Sequence, residues 1–178
     1  MDTGLLILRV VVGLLFVGHG TQKLFGWWGG HGLDGTGGFF ESLGYRPGRT
    51  YAALAGGSEA GGGALLALGF FTPLAAAALV GVMLNAIVAV HWPNGLWVTD
   101  SGYEYPLVNA TIAGAFAFAG PGRWSLDNAV GWADWGVAWA LVAIAVGIFT
   151  GVTVLGSRQL APAEIEEPAE DEEQRRAA

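Results

Sequence analysis

With 53% apolar and only 13% charged residues among 178, the chain carries roughly half the charge of a soluble domain, where about a quarter of residues are charged; a soluble enzyme is excluded. Eight acids and six bases are spread over the first 160 residues, whereas seven acids and two arginines crowd the last 18, so the net charge of −7 describes the tail rather than the body. There is no cysteine and no basic stripe, which removes disulfides, thiolate chemistry, iron–sulfur and zinc–thiolate centres of the chain's own, and nucleic-acid binding.

A helix needs about 20 mostly apolar residues to cross a bilayer. The first candidate is 3–25, apolar apart from Arg9, His19, Gln22 and Lys23. Only Asp2 precedes it and no small-residue cleavage site follows, so it is expected as a mature helix rather than a signal peptide. The connector 26–50 is glycine-rich and holds Trp27, Trp28, Phe39, Phe40 and Tyr45. Tryptophan there suits the headgroup layer. Residues 39–43 either form a short interfacial helix or stay a loop with aromatic anchors.

Residues 51–71 and 73–92 predict a tight helical hairpin, since no Asp, Glu, Lys or Arg occurs between Ala60 and Thr99. Its turn falls at 69–73, with Pro73 suited to the first turn of the second helix. A shorter apolar run, 105–119, lies between Glu104 and Gly120-Pro121-Gly122-Arg123. The last, 135–156, carries no charge between Asp134 and Arg158. A soluble bundle would show a polar outer face on every helix, and none is visible. The reading is an all-α, polytopic membrane helical bundle of four or five hydrophobic helices, multi-pass in the cell membrane with lipid as its surroundings. A four-helix core (1–130) is followed by an additional transmembrane helix (131–160) and an acidic tail (161–178) expected to be disordered. With five spans, Lys23, Arg46, Arg49 and Arg158 share the tail's side, which the positive-inside rule then makes cytoplasmic.

Ionisable groups inside a span are costly unless paired, so each marks a function or a packing contact. Arg9, Gly13, Phe16, Gly20 and Lys23 follow a spacing near 3.6 and form one stripe of the first helix, with His19 on a neighbouring line. Gly56, Glu59 and Gly63 form another on the second helix. Glycine beside a charge lets a second backbone approach. By depth, His19, Gln22, Lys23, Glu59, Asn85, His91, Glu104 and Asn109 can share one half of the bundle, while Arg9 stands near the opposite face as a structural charge. Three readings stay open for this cluster. It holds the bundle together through a Glu59 pair with Lys23 or His19; it forms a binding pocket for a quinone-like or other small polar ligand; or His19 and His91 ligate a metal or haem. His31 lies in a loop, and no metal site is assigned.

Other motifs carry little. Gly29-Gly30-His31-Gly32 and Gly61-Gly62-Gly63 lack the setting of a phosphate loop. Asn109-Ala110-Thr111 fits a glycosylation acceptor but falls inside an expected span. Ser125 and Asp127 do not make a catalytic triad by sequence alone, and no catalytic residue is assigned.

Three stretches resemble the DoxX family of membrane proteins: Arg9 with Gly18-His19-Gly20-Thr21-Gln22-Lys23-Leu24-Phe25-Gly26; Glu59-Ala60-Gly61-Gly62-Gly63 through Leu68-Gly69 with Thr72-Pro73; and Gly120-Pro121-Gly122-Arg123-Trp124-Ser125-Leu126-Asp127. The likeness covers about residues 5–130. It implies a four-helix membrane core and a link to thiosulfate:quinone oxidoreduction or to sulfur-transfer and oxidative-stress enzymes, with Arg9, Lys23 and Glu59 matching the family's intramembrane charges. The helix at 135–156 and the acidic tail depart from that pattern. The resulting expectation is a redox-associated membrane subunit with a quinone bound near His19, Lys23, Glu59, Asn85, His91 and Glu104. Lys23 or His19 would hydrogen-bond a carbonyl and Glu59 would exchange the proton. A non-catalytic scaffold for soluble redox or sulfur-transfer enzymes is the alternative. A small-solute transporter is the third; it shows no inverted repeat and would need a homo-oligomer to complete it.

Overall fold

Large apolar side chains face outward along the first and last helices, while alanines pack inside together with a core that includes Phe16, Leu66, Leu79 and Phe116. The computed structural model describes residues 1–159, so the expected disorder of the acidic tail lies outside the described residues. Its main helices are α1 (Asp2–Phe25), α2 (Gly32–Ser42), α3 (Gly48–Leu68), α4 (Thr72–Asn85), α5 (Glu104–Ala119), the single turn α6 (Leu126–Ala129) and α7 (Gly136–Gly156). No strand occurs among the described residues. Ala52, Ala75, Ala76, Ala113 and Ala140 are fully enclosed, whereas Ile7, Leu8, Val11, Leu14 and Leu15 on α1 and Val142, Ile148, Phe149 and Val152 on α7 face outward. Water would make such a surface aggregate; hydrocarbon makes it neutral, because lipid tails are as apolar as leucine. The protein is a helical membrane bundle.

Glycine sets how closely the helices approach. A methyl group placed on Gly13 would lie 2.5 Å from the Gly63 carbonyl oxygen and 2.6 Å from the Ala67 nitrogen. One on Gly20 would collide with the backbone of Gly56 and Ala60. The expected stripes on the first two helices are therefore the α1–α3 contact. A second close crossing joins α7 to α4, where a methyl on Gly147 would stand 2.8 Å from Ala77 O. Gly20→Ala should cost about 2 kcal/mol through overpacking. Gly18→Ala, with nothing within 4 Å of its Cβ position, should leave denaturant resistance in detergent unchanged or slightly raised.

Three helical segments are long and apolar enough to cross a membrane by length and composition: Asp2–Phe25, Thr72–Asn94 and Gly136–Gly156. Of the four or five hydrophobic helices expected, these three meet that measure. Helix α5 has 16 residues, about 24 Å at 1.5 Å per residue, short of the roughly 30 Å hydrocarbon layer. Helix α3 is long enough at 21 residues, but its glycines, Arg49 and Glu59 dilute its hydropathy. The short interfacial helix expected at 39–43 is instead the full α2, which begins at Gly32 and packs on α3.

The hairpin turn between α3 and α4 forms where expected. Gly69 closes α3 with φ 61°, a left-handed conformation that glycine adopts without strain, and Pro73 sits in the first turn of α4. What secures it is remote in sequence. The Asp127 carboxylate, fully buried, accepts from Phe71 N at 2.8 Å, Thr72 N at 3.0 Å, Thr72 Oγ1 at 2.7 Å and Trp135 Nε1 at 3.0 Å. An anionic cap on the exposed amides of a helix N-terminus meets both the missing acceptors and the helix dipole.

Candidate functional site

The close α1–α3 crossing dictates the first element of the site. Lys23 follows Gly20 by three residues and Glu59 follows Gly56 by three, so the glycine contact carries the two side chains to each other. Lys23 Nζ lies 2.5 Å from Glu59 Oε2, with side-chain exposures of 26% and 5%. Lys23 also occupies the last turn of α1, where a cation is favoured by the helix dipole.

The second element comes from the α2–α3 connector and α4. Tyr45 is 3% exposed; its phenol donates to Asn85 Oδ1 at 2.8 Å, and Asn85 Nδ2 donates to Gly81 O at 3.1 Å and Gly151 O at 3.0 Å. Both amide hydrogens and the amide oxygen of Asn85 are thereby occupied. Gly151, lacking a side chain, lets the α7 backbone supply one of those acceptors. Burial raises the Tyr45 phenol above its ordinary pKa, and nearby Arg158 opposes that shift. The Arg158 guanidinium sits 5.5 Å from the centre of the Tyr45 ring, and its Nε donates to Leu43 O at 2.8 Å. The end of α7 therefore lies beside the first connector, the same end of the bundle as Lys23.

The third element is His91. Beyond Asn85 the backbone widens into a π-helical turn, Ala86–His91, a feature that often accompanies functional sites. His91 Nδ1 is 2.7 Å from Ser101 O. A carbonyl only accepts, so Nδ1 carries the hydrogen and a neutral ring presents Nε2 as an acceptor.

These three elements line one cavity of about 530 Å³ between α3, α4, α7 and the connector. Lys23, Glu59, Tyr45, Asn85 and His91 are among its polar groups, with Tyr51, Ser58 and Thr150; Leu54, Leu74, Val82 and Val146 and the rings of Phe39 and Phe40 are among its apolar walls. An apolar chamber with a few converging polar groups is the usual form of a small-molecule site.

Of the six expected binding residues, Lys23, Glu59, Asn85 and His91 line this cavity, whereas His19 and Glu104 do not. His19 Nε2 lies 3.4 Å from Tyr105 OH. Glu104 accepts from Val98 N at 3.0 Å and orders the loop before α5. Gln22 donates to Trp28 O, and Asn109 is buried on α5. His19 and His91 thus have different partners, and among the described residues no group of three or more His, Asp or Glu side chains is placed to hold a metal ion. Arg9 sits at the opposite end, donating through Nη1 to Ala67 O and through Nη2 to Trp124 O. Sequence reasoning missed Tyr45 and Tyr51 as lining residues, although both aromatics lie in or beside a connector rich in such rings, and it missed Asp127 as the cap of α4.

The DoxX family model matches residues 4–92. The match includes Lys23, Tyr45, Glu59, Asn85 and His91 and ends one residue past His91; Thr150, which also lines the cavity, the Gly120–Asp127 element, α5 and α7 lie beyond it. No curated protein and no solved structure matches the chain.

Proposed function

The chain belongs to the DoxX family, and on that premise we propose that it is the membrane subunit of a redox system and binds a quinone-like molecule in the cavity between α3, α4 and α7. The observation that carries this reading is a partly buried ion pair, Lys23–Glu59, set into a wall that is otherwise mostly apolar. A quinone supplies a flat apolar ring with two carbonyl acceptors, and its reduction takes up two electrons and two protons. The chamber suits such a ring: its volume falls in the range of small-molecule sites, roughly 300–1,000 Å³.

Lys23 has three N–H donors and spends one on Glu59, leaving donors for a ligand oxygen. Glu59, in direct contact with that ammonium, is positioned to hold or release a proton beside the same oxygen. Tyr45, fixed by Asn85, orients the ring from the connector side. In this reading the electrons come from a soluble redox partner; the chain has no cysteine of its own to supply them.

Titrating detergent-purified protein with a short-chain ubiquinone or with menadione, followed by tryptophan fluorescence, should give saturable binding. Glu59→Gln, which removes a charge-assisted contact worth about 1.5–3 kcal/mol, is expected to weaken it at least about tenfold. Tyr45→Phe should weaken it by a smaller factor. Unchanged affinity in a folded Glu59→Gln protein would remove the proposal.

A further inference from the structure

The far end of the bundle holds a cation without a counter-ion. Arg9 is 2% exposed, and neither it nor Arg123 takes part in an ion pair among the described residues. Two backbone carbonyls, Ala67 O and Trp124 O, accept from its terminal nitrogens, but Nε is buried with no partner. Carbonyl dipoles offset only part of the cost of a buried guanidinium, which falls most when an anion sits against it. Asp127, a fully buried carboxylate three residues after Trp124, is already used by four donors around α4 and α7. Asp2 accepts from the backbone of Arg123, not from its guanidinium.

Arg9 opens onto a shallow depression of about 430 Å³ whose lining includes Arg123, Trp124, Ser125 and Asn128 and no acidic residue. Two arginines lining one hollow without a carboxylate, one of them with a buried Nε that has no partner, fit an oxyanion site, since the guanidinium donors match phosphate geometry. Its level in the membrane points the same way. Trp124, Trp132 and Trp139 are exposed at this end, and outward-facing tryptophans mark the headgroup layer. The Arg123 guanidinium rests 5.6 Å from the centre of the Trp124 ring, which holds it at the rim.

We propose that this depression binds a phosphate-type oxyanion, offered by a phospholipid headgroup or by free phosphate, with Arg9 as the buried ligand and Arg123 as the rim ligand. The site is independent of the cavity at Lys23 and Glu59.

Protein purified in an uncharged detergent would be titrated with a short-chain phosphatidylglycerol, and separately with inorganic phosphate, reading tryptophan fluorescence and bound lipid by native mass spectrometry. Arg123 is exposed, so Arg123→Gln is expected to fold and to weaken binding about tenfold, or about 1.4 kcal/mol. Arg49→Gln, an exposed arginine paired with Asp34 instead, serves as control and should bind as the unmodified protein does. Displacement of the lipid by phosphate identifies the free ion as sufficient; saturable lipid binding that phosphate leaves intact identifies the headgroup as the occupant. Saturation by neither probe, or equal weakening by Arg123→Gln and Arg49→Gln, overturns the assignment.

Discussion

Asp127→Ala is expected to lower the unfolding free energy by about 4 kcal/mol, the largest effect of any single side chain considered. Four donors converge on this carboxylate, two of them backbone amides at the start of α4. Losing a helix cap alone costs about 1 kcal/mol, and each buried donor left without an acceptor adds roughly 1–3 kcal/mol. Relaxation around the gap keeps the total below the simple sum. Asp127→Asn keeps the shape and one acceptor oxygen but loses the charge, and should cost about half as much. Denaturation in mixed micelles followed by tryptophan emission tests both, because Trp135 would lose its bond and shift its spectrum. A loss below 1 kcal/mol in the alanine variant would show that α4 holds its N-terminus without this cap.

Lys23→Met is expected to destabilise by about 3 kcal/mol, and the Lys23→Met, Glu59→Met double variant to recover most of that loss. Removing one partner strands a carboxylate that is nearly all buried, whereas removing both leaves no charge to desolvate; broken buried pairs cost about 3–5 kcal/mol, while apolar replacements of whole pairs are often neutral. The lower end is chosen because Lys23 is 26% exposed and solvent screens part of the interaction. The same cycle separates packing from binding. If the double variant is as stable as the original yet no longer binds the quinone analogue, the pair serves the ligand. If the double variant is the least stable of the three, the pair is structural glue.

The two glycine crossings give a view of why membrane bundles tolerate such a pair. Helix backbones that touch at Gly13 and Gly20 leave little room for lipid between them, so the charges one turn further along are shielded on the side facing α3. On the other side lies the cavity, where Phe40 of α2 packs on Tyr45 of the connector and Tyr45 bonds Asn85 of α4.

Apolar runs in the sequence were enough to place the hydrophobic helices, and their periodicity laid out the glycine-and-charge stripes of α1 and α3, while the choice between Lys23 and His19 as partner of Glu59 stayed open. The stripes depend on neighbours one to two turns apart on the same rod, and helix geometry is rigid enough to extrapolate over that distance. Depth along a helix likewise brought Asn85 and His91 to the same end as Lys23. It did not separate His19 and Glu104 from them, because depth leaves the rotation of each helix about its own axis open. That rotation, the choice of Tyr45 as partner of Asn85, the clamp of Arg158 on Leu43, and the reach of Asp127 across more than fifty residues to the α3–α4 turn were decided only by tertiary packing. Each rests on two segments whose relative position no local pattern encodes, since it follows from filling space among all the helices at once.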